Sequence, residues 1–303
     1  MSHKKEVIDA TRHCIYCPTL CMHACPVVAV ESSDTVTPWS KMSMARWLAE
    51  GKVVGSFEHT DLLFKCTGCG ACQAACVHQV DVAGTLQLAK VDAANAGISR
   101  HAPGLFKPII EDDEDTVIPA GVSGARLFAA GYTEMFLSAA RSNARRWSVR
   151  SELLFASAED FRTVSEIYPA YDIDVRPPLR LAAEAAAKQP AREGDLGPNV
   201  AYHEACHLLR ADAADAESVR QLAQKRAVGP LIELHWRGEN ATCCGASGAF
   251  AETSEASARE AAIRLLGNAQ ERGATLLVTG CSGCAEHMSQ YAADVGIEVK
   301  ALS

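Results

Sequence analysis

Apolar and polar positions alternate in two different rhythms along this chain, and the change falls near residue 116. Before it the pattern is helical. Thr37 followed by Pro38 reads as a helix cap and first turn. Met44, Trp47 and Leu48 then share a face, and Gly51 ends the helix. A second helix is expected from about 82 to 95, with Leu86, Ala89 and Val91 inward. Residues 1–13 read as a polar lead-in. Residues 97–115 read as a linker, closing on the acidic run Glu111 to Asp115, a solvated loop rather than a docking site for a basic partner.

From Thr116 onward short apolar runs alternate with amphipathic stretches. Strands are expected at 117–118, 153–156, 200–202, 231–235, 276–278 and 297–299. Helices are expected at about 125–147, 182–188, 213–228, 254–272 and 285–294. Residues 189–199, with two prolines and two glycines, read as a linker. Arg141, Arg145 and Arg146 form a solvated face of the 125–147 helix. Strands alternating with helices predict parallel sheets. The fold class is therefore α+β overall, an α-helical N-terminal module followed by an α/β part.

That α/β part reads as a duplication. Leu153 and Tyr168 in the first copy stand 123 residues before Leu276 and Tyr291 in the second. Ile173-Asp-Val175 answers Ile297-Glu-Val299 with a slip of one residue. Ala158 and Phe161 stand where Cys281 and Cys284 stand, so the first copy is predicted to have lost its metal ligands.

Composition narrows the function. The chain has 303 residues and a formal charge of −8, which argues against a nucleic-acid partner. No run of 18 apolar residues exists to span a membrane, and the polar N-terminus carries no export signal, so the expected location is the cytoplasm, or the inner membrane's edge through a partner. Thirteen cysteines there point to metal rather than disulfides. Eight precede residue 77 and five follow residue 205. The expected domains are 1–96, the linker 97–115, an emptied repeat at 116–190 and a full repeat at 191–303.

The early cysteines form two runs. Cys14, Cys17, Cys21 and Cys25 read C-x2-C-x3-C-x3-C-P, and Cys66, Cys69, Cys72 and Cys76 read C-x2-C-x2-C-x3-C. Three close thiolates hold three corners of a [4Fe–4S] cube, and the fourth of each run serves the other cube. Cys14, Cys17, Cys21 and Cys76 are thus expected to hold one cubane, and Cys66, Cys69, Cys72 and Cys25 the other. The first run departs from the usual spacing by one residue between its second and third cysteines. Zinc or disulfide pairs are the weaker alternatives. Gly68 and Gly70 are expected to let backbone approach a cluster and donate N–H groups.

The late cysteines are Cys206, then Cys243-Cys244 after 36 residues, then Cys281 and Cys284 after 36 more. Equal gaps suit loops at one edge of a sheet. Gly245, Gly248 and Gly283 are expected to bring backbone against a bound group. His203, Glu204 and His207 flank Cys206 as candidate proton donors. Five thiolates exceed what a cubane or zinc needs, so one is spare or the cluster is unusual. Structural zinc remains an alternative.

These late motifs, with Tyr202-His-Glu-Ala-Cys206-His207, resemble the cysteine-rich CCG domain of heterodisulfide reductases. A two-cluster ferredoxin module joined to two CCG repeats resembles the D-type polypeptide of the methanogen heterodisulfide reductases. It is also similar to the iron–sulfur subunits of glycolate oxidase and anaerobic glycerol-3-phosphate dehydrogenase. The resemblance implies two cubanes and one further [4Fe–4S] cluster, non-cubane and held by all five late cysteines. It implies electron transfer between a flavoprotein dehydrogenase subunit and a quinone, a membrane cytochrome subunit or a soluble acceptor. Reduction of a disulfide at the CCG cluster is the alternative. With its first repeat stripped, this chain fits transfer through one such cluster better than cleavage between two.

Overall fold

The computed structural model describes residues 2–106, 108, 117–189 and 193–302. The acidic run at 111–115 and parts of both expected linkers lie outside the described residues. The chain divides into two compact units. One comprises Met1–Lys107, Arg126–Phe136 and Gly245–Ala261; the other comprises Pro108–Ala125, Leu137–Cys244 and Ala262–Ser303.

The first unit is helical. Helix Pro38–Glu50 starts where expected: Thr37 Oγ1 accepts the Ser40 N–H at 3.1 Å, and Gly51 closes the helix in the left-handed region. Its buried face differs from the sequence reading. Lys41, Met42 and Ala45 point inward, Met44 and Leu48 only border the core, and Trp47 is 40% exposed. The inward stripe is set by Met42 and Ala45, one turn apart, packing on Val7, Leu63, Leu86 and Ala89. Val7 belongs to helix Lys4–Ala10, so the supposed lead-in is structured and contributes to the core. Its single fully buried side chain gave too little periodicity to read. Helix Val82–Asn95 carries the predicted inward residues, together with a buried Lys90.

The expected helix 125–147 is broken into Ala125–Ala129 and Thr133–Trp147. Gly131 causes the break. It sits at φ +86°, and a Cβ there would lie 2.5 Å from the Lys90 carbonyl carbon, so backbone runs against backbone.

The second unit contains two parallel three-stranded sheets. One is β1 (Val117–Ile118), β2 (Leu153–Phe155) and β3 (Leu179–Leu181); the other is β4 (Val200–His203), β5 (Leu276–Thr279) and β6 (Glu298–Ala301). Both run in sequence order, with all pairs parallel. This repeated topology agrees with the duplication. Two details correct the sequence reading. The third strand of the first sheet is Leu179–Leu181, beyond the prolines at 177 and 178, and not 173–175. The stretch 231–235 is not a strand among the described residues. Ile232 makes one parallel bridge to Ala201, and the chain then leaves as the His235 N–H turns to Asn268 Oδ1 at 2.8 Å. Helix Ser282–Val295 begins directly after Cys281, earlier than the 285 expected from periodicity.

Candidate metal centres

None of the thirteen cysteines is paired in a disulfide. In the first unit several of them act on one another's ionisation. Burial first, then Cys21, Cys76 and Cys17, push the Cys14 thiol up to about 11. Burial and then Cys17, with smaller contributions from Cys76 and Cys25, likewise lift Cys21 to about 11. Cys72 is raised well above the usual thiol range by burial, then by Cys69, Cys66 and Cys25. Thiols that oppose one another's ionisation are close, and such a set ionises readily only when a cation takes up the charge. Cys76 acts on Cys14 and Cys21, and Cys25 acts on both Cys21 and Cys72, so the two runs lie against each other.

Local structure explains how the runs meet. Cys25 caps helix Pro26–Glu31, whose fixed first turn carries the chain away. Cys72 lies in helix Ala71–Ala74, entered through Gly70 in the left-handed region. Gly68, also left-handed at φ +69°, aims its N–H at Cys66 Sγ, 3.4 Å away. His13 and His78 stack at 4.5 Å and tie the start of one run to the end of the other. A cavity is lined by Cys25, Cys66, Cys69 and Cys72 together with Lys41 and Val82. The other quartet is more open: Tyr16 and Val77 beside its cysteines are 90% and 86% exposed.

Gly248 serves this unit. A Cβ on it would lie 3.1 Å from the Thr67 carbonyl oxygen and 3.4 Å from that of Cys66. Gly245 packs as tightly on the Ala258 backbone. Both glycines are needed for close backbone contact, and the backbone they meet is that of the 66–67 loop and of helix Glu255–Glu271.

In the second unit the five late cysteines are all buried. Cys206 opens a helix after β4, Cys281 caps the helix after β5, and Cys284 sits in that helix's first turn. One ring nitrogen of His203 and the sulfurs of Cys244 and Cys284 lie within 4.8 Å of one another. The hydrogen bond from Cys284 lowers the Cys281 thiol to about 7, burial opposes it, and the Ala158 N–H, 3.4 Å from Cys281 Sγ, lowers it further. Cys284 is raised well above the usual range by its bonds to Cys244 and Cys281 and by burial.

Burial lowers His203 and His207 to about 4 each, so both are neutral at pH 7. As neutral rings they suit ligation or hydrogen bonding better than delivery of a proton from an imidazolium. His207 faces Arg162 at 3.4 Å and Glu159 at 3.8 Å. Glu204 is engaged by Arg220 at 2.8 Å and by the Gly238 N–H. Burial raises its carboxyl, and those partners oppose the rise. Gly283 has ordinary contacts with Ser157 and Cys281.

Neither ring nitrogen of His203 has a hydrogen-bond partner among the described residues, nor do the hydroxyls of Tyr202, Thr279 and Ser282. Buried polar atoms are normally satisfied. So many orphans beside five thiols fit a site built around a bound group. Residues 10–80 match the family model of the 4Fe-4S dicluster domain, and residues 200–289 match that of the cysteine-rich CCG domain. The chain carries both. No curated protein matches it. The donor chemistry therefore fits iron–sulfur clusters in each unit. The role of Ala158 and the two buried lysines were not read from sequence. The 123-residue offset already paired Ala158 with Cys281, but nothing in a sequence says that paired positions touch. Among the described residues no helix is long and apolar enough to cross a membrane.

Proposed function

We propose that the chain is the iron–sulfur electron-transfer subunit of a multi-subunit oxidoreductase. Cys14, Cys17, Cys21 and Cys76 would hold one cubane, and Cys25, Cys66, Cys69 and Cys72 a second. Cys206, Cys243, Cys244, Cys281 and Cys284 would hold a third, CCG-type [4Fe–4S] cluster. Bound there, such groups supply one-electron storage and transfer. The chain's own residues exclude water, fix the thiolates and aim N–H groups at sulfur. The partners in this reading are a flavoprotein dehydrogenase subunit on one side and a quinone, membrane or soluble acceptor on the other. The observation that carries it is the cavity that gathers Cys25 of one run with Cys66, Cys69 and Cys72 of the other, beside a separate buried set of five. Burial of all five late thiols favours electron relay over direct attack on a bulky disulfide.

Iron and acid-labile sulfide in anaerobically purified protein test this directly. The expected result is about 12 iron atoms per chain, falling to about 8 in Cys206→Ala, with four per cluster. Iron that does not fall in Cys206→Ala removes the third cluster. His203 beside Cys244 and Cys284 favours a second reading for that site alone, a nitrogen- and sulfur-bound zinc. About 8 iron and one zinc per chain would select it.

A further inference from the structure

Two lysines are buried in the first unit, and neither has a carboxylate. Lys41, on helix Pro38–Glu50, is 1% exposed, and its Nζ lies 3.9 Å from Cys25 Sγ. Lys90, on helix Val82–Asn95, donates to the Ala129 carbonyl at 3.0 Å and lies 4.8 Å from the Phe64 ring centre. Among the described residues no ion pair reaches either ammonium. Nearby carboxylates are engaged elsewhere: Glu31 by Lys65 and Ser257, Glu50 by Arg46 and Lys52.

A buried charge without a partner is strongly unfavourable, so an anion is expected within reach. Among the described residues, the groups able to carry negative charge in the cavity that Lys41 helps to line are Cys25, Cys66, Cys69 and Cys72. Lys90 acts on the same site from further off. Burial lowers it to about 8, Cys66 opposes the fall, and Lys41 adds to it. Among the described residues no lysine or arginine figures among the charges acting on Cys14 and Cys21 of the more open quartet.

The consequence follows from charge. Four thiolates outweigh the positive iron–sulfide core, and each electron accepted adds negative charge. Burial alone makes that addition harder, and a fixed cation makes it easier. We propose that Lys41, with Lys90 behind it, is the built-in counter-charge of the Cys25, Cys66, Cys69 and Cys72 centre, and holds its reduction potential up so that a buried cluster still accepts an electron. The inference rests on that quartet holding a cluster. Both lysines are positioning residues, acting through charge on the cluster.

The test is an EPR-monitored redox titration of the full chain, purified anaerobically, as wild type, K41Q, K41R and K90Q. The centre in question is identified as the signal that C69S removes. K41Q with wild-type iron is expected to lower that centre's midpoint by at least about 59 mV, a tenfold change for a one-electron couple. K90Q lowers it less, K41R restores most of it, and the second ferredoxin-type signal stays in place. An unmoved midpoint in K41Q at full iron, or equal shifts in both signals, overturns the counter-charge. If K41Q loses iron, recovery of iron in K41R supports the charge role, and failure to recover overturns it. A wild-type chain with no signal sensitive to C69S overturns the cluster assignment itself. That result is distinct from an intact cluster with an unmoved midpoint.

Discussion

The two repeats of the second unit share a strand order and differ in what fills their ends. In the second, the end of β4, the Cys243-Cys244 stretch and the helix after β5 bring a buried histidine and two thiols to one place. In the first, the loop after β2 delivers Ala158 and Phe161 instead, and the interior is aromatic. Trp147 meets Phe155 edge-on at 5.7 Å and stacks on Tyr168 at 6.5 Å. Tyr168 donates to the Ser123 carbonyl, and Asn143 bonds both Tyr168 and the Val122 carbonyl. Asp160 accepts the N–H groups of Gly121 and Ser123 at 2.8 and 2.9 Å. A repeat without cysteines can thus be held by packing and hydrogen bonds, while the other repeat encloses five buried thiols. The emptied repeat is also kept in contact with the full one. Ala158 donates to Cys281, its own counterpart 123 residues on, and the Ser282 N–H donates to the Ala156 carbonyl.

The largest effect expected from this contrast is in the emptied repeat. Trp147 is fully buried, and Trp147→Ala removes the centre of its aromatic core. The expected cost is about 3–5 kcal/mol, the range for large buried aromatics. Denaturant unfolding followed by circular dichroism would measure it. Iron content per folded chain should be unchanged, since no ligand is touched. A loss below about 1 kcal/mol would mean that the first repeat is not held by this core.

The full repeat should instead be acid-sensitive. His203 and His207 are buried neutral at about 4, well below the ordinary imidazole value. The unfolded chain takes up these protons first as pH falls, so stability present above about 6.5 is lost on the way down to about 4. At pH 5 each ring accounts for about 2 kcal/mol, at 1.36 kcal/mol per pH unit. In metal-free chain, H203Q and H207Q should each flatten the fall in unfolding free energy between pH 7.5 and pH 5 by about that amount. An unchanged slope in both variants would show that neither ring is held neutral.

How much of this was legible in the sequence depends on the kind of signal. Cysteine spacing carried the two-cluster ferredoxin-type reading, because adjacency in the chain nearly forces adjacency in space for three ligands of each run. Period-two and period-3.6 patterns carried the sheets and most helices. What failed was long-range. Trp47 looked like core because it is large and at the right spacing, yet the inward stripe follows Met42 and Ala45, with Lys41 buried beside it. No propensity argument buries a lysine; only the thiols it faces make that position tenable. Gly131 looked like an ordinary residue of a continuous helix until the Lys90 backbone was found against it. Gly245 and Gly248 signalled close approach without saying to what.

The smallest effect is the sharpest probe of how the repeats cooperate. Ala158 is the first residue of helix Ala158–Arg162, and Ser157 before it is extended at φ −103°, ψ 129°. Proline is tolerated at such a position, and an extended residue suits the place before it. Ala158→Pro therefore deletes one N–H and leaves the helix in place, with a stability change below about 1 kcal/mol. The deleted N–H favours the Cys281 thiolate, so its loss should move that thiol up from about 7 toward the usual range. The rise should be partial, because the bond from Cys284 is the larger influence and remains. Thiolate absorbance against pH in the metal-free chain, with Cys281→Ser as the blank, reads the shift. In the loaded protein one fewer donor to sulfur should lower the potential of a cluster held by Cys281. If neither the titration nor the potential moves, the emptied repeat contributes nothing to the site beside it, and its persistence is a matter of packing alone.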